Sequence, residues 1–366
     1  MGPPPIPSQP VLGVGMHTLG AFSAATCYAP QKYLRGWSWE TYWLAQAAWC
    51  WLLWPMIGAW FTIPALLEVL REAPKDTMLY VFLIGLIYGF GAMAFNVAIR
   101  YIGFALTYAI AVGFSSVLGT LVPPLFSGEF TKKFTGPGAG WIFAGMAVGV
   151  AGIALCGAAG RFKELDLQAK TGATGEFSLP KGLFLSVFAG VFSALFGCGM
   201  ALAKPLSDVA AAHGAGYWQG NVTFLFLNTG AFVQSFFYCL WLGKKNSTLG
   251  EYVKSAGGAS PASIVSNHVM ALITGTLWYG QFFFYSLGTV RMGRYQYTSW
   301  AIQMILMVLF SNLLGVIFRE WKGCKAKTWG AIGLALLILS ASVVLIAYGN
   351  YLGELPAEET ILPQVE

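Results

Sequence analysis

The chain has 366 residues, of which 21 are Lys or Arg and 15 are Asp or Glu, so that 10% are charged, against roughly a quarter in a soluble domain. The apolar set makes up 57% and aromatic residues 16%, and so few charges cannot cover the surface of a soluble protein this long. A cytosolic enzyme, a disordered scaffold and a nucleic-acid-binding module are excluded, which leaves a chain dissolved in lipid. The net charge of +6 is too sparse for a polyanion site and fits basic loops on one side of a bilayer.

Residues 1–10, MGPPPIPSQP, read as a short uncharged tail. They lack the basic start of a cleaved signal peptide, and Ile6 breaks the myristoylation pattern behind Gly2. A bilayer core about 30 Å thick needs about 20 apolar residues per helical crossing. On that rule the sequence predicts an all-α integral membrane protein with ten spans. They fall at Val11 to Tyr28, Trp39 to Phe61, Met78 to Ile99, Gly103 to Phe126, Gly138 to Ala159, Lys181 to Ala203, Gln219 to Leu242, Ser263 to Thr289, Tyr295 to Phe318 and Thr328 to Asn350. The loops after the odd spans hold 14 of the 21 Lys and Arg residues and those after the even spans hold 7. That asymmetry predicts cytoplasmic odd loops and external termini.

Two sets of echoes suggest a duplication. At an offset of 191 residues Tyr88-Gly89 matches Tyr279-Gly280, Arg100 matches Arg291 and Glu129 matches Glu320. At an offset of 170, the GAFSA run at 20–24 matches GVFSA at 190–194, and an insertion at 243–262 accounts for the difference. The echoes join spans one and six, three and eight, and four and nine. Five is odd, so two inverted five-helix repeats are expected, a frequent build among secondary transporters. The domain plan is a tail at 1–10, repeat one at 11–159, a charged linker at 160–180, repeat two at 181–350 and a tail at 351–366.

Span eight carries Asn267, Ala271, Thr274, Trp278, Gln281 and Tyr285 at spacings of 4, 3, 4, 3 and 4, a polar and aromatic stripe on one helical face. In lipid such a stripe faces protein or a water-filled cavity; interhelical hydrogen bonding is the other use of its amides. Span nine repeats the pattern with Gln296, Ser299 or Trp300, Gln303 and Met307, and with Tyr297 at the edge. Aromatic rings beside amides suit a small neutral sugar, whose C–H faces pack on the rings while its hydroxyls find partners. Tyr297 has a second reading as an interfacial belt residue. Asn267, Trp278, Gln281, Tyr285, Tyr297, Trp300 and Gln303 are therefore the candidate substrate-binding residues.

Coupling or gating candidates are the scarce titratable groups. Glu40 in Trp37-Ser38-Trp39-Glu40-Thr41 follows an expected N-cap at Ser38 and suits the positive end of the helix dipole. Arg100, Glu129, Arg291 and Glu320 are repeat-related and read either as ion-paired anchors or as gates. His17 and His268 are the histidines within spans, where a titratable group at depth can carry a proton. Cys27, Cys50, Cys156, Cys198 and Cys239 sit in apolar runs without a C-x-x-C pair and read as packing residues. With no nucleotide-binding or hydrolase motif, neither an enzyme nor a cofactor is expected, and no metal site is.

CYAPQKYLRGWSWETYW (27–43), IRYIG (99–103), AKPLSD (203–208), LWYGQFFFYSLG (277–288), YQYTSW (295–300) and FREW (318–321) resemble the bacterial L-rhamnose-proton symporters of the drug/metabolite transporter superfamily. The resemblance runs from about Gly20 to Trp321. It implies a ten-helix inverted-repeat fold in the bacterial inner membrane and proton-linked uptake of L-rhamnose or a related deoxyhexose. Better-known members of that family carry an acid and a histidine where this chain has Gln296 and Gln303. Export or exchange of another metabolite, and a sugar-binding membrane sensor, remain the other readings of the residues.

Overall fold

A computed structural model describes residues 7–171, 178–254 and 261–354. The first part of the N-terminal tail, the middle of the 160–180 linker and all but the start of the C-terminal tail lie outside the described residues. Within them the chain is helical, with no strand. The helices are α1 (Pro10–Thr26), α2 (Trp39–Ala47), α3 (Trp54–Thr62), α4 (Leu66–Glu72), α5 (Lys75–Ile102), α6 (Phe104–Phe126) and α7 (Phe130–Phe134). They continue as α8 (Ala139–Thr171), α9 (Leu179–Leu202), α10 (Lys204–Ala212), α11 (Asn221–Asn246), α12 (Pro261–Arg291), α13 (Ser299–Ile317) and α14 (Ala326–Glu354).

Seven helical stretches are long and apolar enough to cross a membrane, and eight are if the α2-to-α4 stretch, bent by 102°, is one span. The bend has a local cause. Pro64 forces Ile63 out of the helical region, to φ −104° and ψ 110°, and Ala65 follows at φ 50°. Two of the expected spans fall short for identifiable reasons. Helix α1 has only 17 residues, and α12 carries the polar stripe that lowers its hydropathy. These two pack on each other, and α1 also packs on α13.

Their approach uses small residues. A methyl group built at Gly20 would stand 3.0 Å from the Gln281 carbonyl, and one at Gly280 would stand 2.6 Å from Ser23 Oγ. Ser23 donates to the Leu277 carbonyl at 2.6 Å. Helix α9 packs in the same way on α5 and α6; α11 packs on α5 and on α2 and α3, and α8 on α14. Close backbone approach through Gly, Ala and Ser is how helices associate where lipid removes the hydrophobic incentive.

Between α2 and α3, residues Ala48–Leu53 form a π-turn. Pro55 has no N–H to give to Trp51, and the ladder is relaid one residue wider just before it, with the Trp54 N–H reaching the Trp49 carbonyl. Helix α13 differs from expectation. Residues Gly293–Thr298 are a 3₁₀ turn and the α-helix starts at Ser299. The tighter turn takes Gln296 off the face of Gln303 and leaves it exposed, which corrects the predicted stripe. All six cysteines are free and five are buried.

Candidate functional site

The buried centre is built around Trp278 of α12. Eight residues of uninterrupted α-helix would set Trp43 and Trp51 about 80° apart. The wider π-turn makes up most of that difference, and both indoles meet Trp278 edge-on at 5.6 and 5.3 Å. Tyr28, just past α1, lies 5.4 Å from the same ring and is 40% exposed. Tyr88 of α5 meets Trp51 at 6.3 Å and Phe196 of α9 at 4.7 Å; Tyr108 of α6 reaches Ser311 Oγ of α13 at 3.4 Å. None of these residues is charged. Gln281, one turn beyond Trp278, is half-buried and makes no side-chain hydrogen bond among the described residues. Rings from both halves of the chain with a spare amide beside them can stack on the apolar face of a small neutral molecule and bind its hydroxyls.

A second group closes the centre toward the end of the bundle that bears Arg291. Trp300 lies against Gly119 of α6 and Gly197 of α9, and its Nε1 donates to the Ser115 carbonyl at 2.9 Å. Tyr285 meets Trp300 at 5.7 Å and His17 at 5.2 Å. His17 is fully buried, and among the described residues neither of its ring nitrogens has a hydrogen-bond partner. Gln303, with its amide oriented to satisfy both ends, donates to the His17 carbonyl at 3.1 Å and accepts from the Ala21 N–H at 3.2 Å. It thus binds the backbone of α1. Tyr297 packs on Phe134 of α7 at 4.9 Å, at the end of the bundle and away from Trp278.

The remaining candidates sit at the ends of helices. Asn267 accepts from the Arg35 N–H at 3.1 Å and donates to the Arg35 carbonyl at 2.8 Å, pinning the segment after α1 to α12. Glu40 is buried and accepts from Asn246 at 2.9 Å and Thr248 at 2.8 Å, at the end of α11. Ser38 caps α2 through Thr41, as expected. Glu251 adds a cap that sequence reading missed: one carboxylate oxygen accepts from Ser38 N–H, Ser38 Oγ and Thr41 Oγ1 at 2.7, 2.9 and 2.7 Å. His268 is exposed, reaches the Tyr252 carbonyl at 3.1 Å and meets Trp37 at 4.8 Å.

The four repeat-related charges do not behave alike. Glu320 accepts from Lys32 at 3.1 Å and Lys163 at 3.4 Å, joining three segments at one face. Partial burial opposes its ionisation, but the two ammonium groups outweigh this and hold the carboxyl below its ordinary value. Glu129 and Arg100 are exposed. Arg291 folds onto the Tyr217 ring at 3.9 Å and donates to the Leu287 carbonyl at 2.8 Å.

Tyr28, Trp51, Tyr88, Tyr108 and Phe196 were not among the sequence candidates. Tyr88 had a signal in its echo with Tyr279, and Pro55 foretold the altered turn that aims Trp51. Phe196 and Tyr108 had none, because an aromatic residue in an apolar span reads the same whether it faces lipid or core.

Apolar helices around an uncharged aromatic centre define an integral, multi-pass membrane protein. Residues 8–351 match the family model described as L-rhamnose-proton symport protein. The L-rhamnose-proton symporter of Pectobacterium atrosepticum is 32% identical over 342 residues, covering 92% of this chain and 98% of that protein. Those of Cronobacter sakazakii and Klebsiella pneumoniae are each 33% identical over 339 residues, covering 91% of this chain and 96% of each relative. The chain belongs to the L-rhamnose-proton symport protein family, a family of symporters and not of enzymes.

Proposed function

We propose that this protein takes up L-rhamnose or a related deoxyhexose together with a proton across the bacterial inner membrane, by alternating access between two inverted five-helix repeats. The observation that carries the reading is the uncharged aromatic centre at Trp278, joined to family membership. A deoxyhexose has an apolar face and a methyl group for Trp43, Trp51 and Trp278, and hydroxyls for Gln281 and Tyr28. Trp300, Tyr285 and Gln303 line the closed side of the same centre, and Asn267 and Tyr297 mark its two ends.

The helix contacts support the repeat assignment. Exchanging α1 with α9, α2–α3 with α11, α5 with α12, α6 with α13 and α8 with α14 maps the main packing pairs onto one another. The α1 contacts with α12 and α13 become the α9 contacts with α5 and α6, while the α8–α14, α6–α13 and α2–α11 pairs return to themselves. On this reading α1 and α12 are crossings as well, which makes ten in all, with repeat one at 11–159, the linker at 160–180 and repeat two at 181–350. The 14-to-7 division of basic residues supports a cytoplasmic Glu320 cluster and external termini.

With Gln296 exposed and Gln303 bound to α1, the proton falls to His17, which is buried without a partner beside Tyr285. The end charges Glu40, His268, Arg100, Glu129, Arg291 and Glu320 then serve gating or anchoring. Uptake of labelled L-rhamnose into proteoliposomes, with and without an inward proton gradient, tests the proposal. Accumulation that ignores the gradient refutes the symport; no sugar-dependent uptake or counterflow refutes the substrate.

A further inference from the structure

Helix α11 carries an asparagine that the packing leaves unexplained. Asn228 is fully buried, and neither its Oδ1 nor its Nδ2 has a hydrogen-bond partner among the described residues. A buried amide with no partner costs stability, and an apolar residue of similar shape would avoid that cost. The turn at 48–53, which packs on α11, carries a second orphan, the Nε1 of the fully buried Trp51.

Helix register puts the two together. The α2–α3 stretch runs antiparallel to α11, tied at one end by Trp43 Nε1 to Ser235 Oγ at 3.4 Å and at the other by Asn221 Nδ2 to Thr62 Oγ1 at 2.9 Å. Trp51 is eight residues beyond Trp43 and Asn228 seven before Ser235, an offset of one residue from that tie; counted from Thr62 and Asn221 the offset is four residues, so the pair lies within about 6 Å along the axis, and the 48–53 turn packs on α11. Asn228 and Ser235 are two helical turns apart and share a face, and the π-turn keeps Trp51 on the side of Trp43. Both orphans therefore enter one seam between α2–α3 and α11, which Trp278 closes from α12. Tyr279, the next residue on α12, also has a hydroxyl without a partner, and Gln46 of α2 has an unpartnered Oε1.

Together Trp51 and Asn228 offer an N–H and an amide with both donor and acceptor, all neutral and beside the Trp43 and Trp278 rings. That inventory matches a polyhydroxyl ligand, in which every hydroxyl both donates and accepts, and it mismatches an anion or a cation. We propose that Asn228 and Trp51 Nε1 hydrogen-bond the hydroxyl groups of the transported sugar when the seam between α2–α3 and α11 opens to it. The inference rests on the sugar reading given above and adds to it one binding residue, Asn228, and a hydrogen bond from Trp51, which that reading used only for its ring.

The test measures binding of labelled L-rhamnose to purified protein in mild detergent for wild type, Asn228→Leu and Trp51→Phe, with the unliganded melting temperature of each. Trp51→Phe keeps an aromatic ring and removes the N–H. Each variant is expected to bind about tenfold more weakly, the effect of one lost hydrogen bond to a neutral group. Asn228→Leu is expected to melt at the wild-type temperature or above. Among L-rhamnose analogues each lacking one hydroxyl, one should lose affinity for wild type and not for Asn228→Leu, because the variant no longer reads that hydroxyl. Wild-type affinity in both variants overturns the inference, as does an Asn228→Leu that melts lower with affinity unchanged. A wild-type protein that binds no sugar overturns the functional reading itself, and the inference with it.

Discussion

Trp300 occupies a slot that two glycines make possible, and filling the slot has a calculable effect. A methyl group at Gly119 would overlap the five-membered ring of Trp300 at Cδ1 and Nε1, whereas one at Gly197 would stand 3.0 Å from Cδ2 and Cε2. Alanine gains about 1 kcal/mol over glycine in a helix interior. For Gly197→Ala a shift of a few tenths of an ångström accommodates the methyl, and the two effects nearly cancel. For Gly119→Ala the indole must leave its position and give up the 2.9 Å bond to Ser115. Overpacking of about 1–3 kcal/mol and about 1 kcal/mol for the hydrogen bond outweigh the propensity gain, for a net loss of about 1–3 kcal/mol. Trp300→Phe alone loses the same bond and part of a buried ring, about 2 kcal/mol. Phenylalanine has no five-membered ring to meet the new methyl, and the hydrogen bond can be lost only once, so the double variant Gly119→Ala/Trp300→Phe is expected to be about 2–4 kcal/mol more stable than the sum of its parts. Unfolding in mild detergent of the wild type and these variants gives the cycle. Effects that add to within about 0.5 kcal/mol, or a Gly197→Ala worse than Gly119→Ala, would refute the slot.

Three further outcomes follow from the geometry. The Glu320 carboxyl is held below its ordinary 4.5; a depressed folded value contributes stability that is present above 4.5 and is lost as pH falls through and below it. Glu320→Gln should cost at most about 1 kcal/mol near neutrality, because the group is 42% exposed and its pairs are screened. Melting temperatures of variant and wild type should converge on acidification, and a constant difference from pH 7 to 3 would contradict the assignment. Asn267→Ala removes both bonds to the Arg35 backbone, so amide exchange at Arg35 should quicken by roughly fivefold for about 1 kcal/mol lost. Unchanged exchange would show that the segment is held elsewhere. His17→Gln removes the ring proposed to carry the proton while keeping a polar side chain. Gradient-driven uptake should fall to the level seen without a gradient while sugar counterflow persists, and retained gradient-driven accumulation would exclude His17.

Most of the fold was legible because bilayer thickness sets helix length and because Gly, Pro and charged residues mark the breaks. Each of the ten expected spans coincides with a helix or a broken helical stretch. Helix α8 runs to Thr171, well past the apolar end at Ala159, because the charged residues that end a hydrophobic run do not end a helix. The α12 stripe was also legible: Asn267, Ala271, Thr274, Trp278 and Tyr285 are all buried. Its division of labour was not. Asn267 binds a loop backbone, Thr274 meets the Tyr42 hydroxyl at 2.5 Å, and Trp278 takes the edges of Trp43 and Trp51, because shared periodicity says which way side chains face and nothing about what meets them. The error at Gln296 has a definite source in the 3₁₀ turn, since one tight turn breaks the spacing on which the stripe was projected.

The distribution of charge bears on how sugar and proton can be linked. The carboxylates with described partners lie at helix ends, on the short α10 or on the charged extension of α8: Glu40 and Glu251 at α2, Glu320 beside Lys32, Glu164 with Arg161, Asp166 bonded to the first turn of α14, Asp208 with Lys204 and Glu72 with His213. Among the described residues no carboxylate shared directly between sugar and proton stands at the Trp278 centre, and coupling on the proposed reading passes through packing. The contacts allow it. His17 abuts α12 where a methyl at Gly288 would stand 2.8 Å from its ring, and His17, Tyr285, Trp300 and Phe196 follow one another at 5.2, 5.7 and 6.4 Å. A proton on His17 puts a charge where no acceptor is paired with it, and burial makes that state costly until α1 and α12 shift to supply one. Helix α12 also carries Trp278 and Gln281. A shift that accommodates the charge thus displaces the residues proposed to hold the sugar, which links the two ligands without any contact between them.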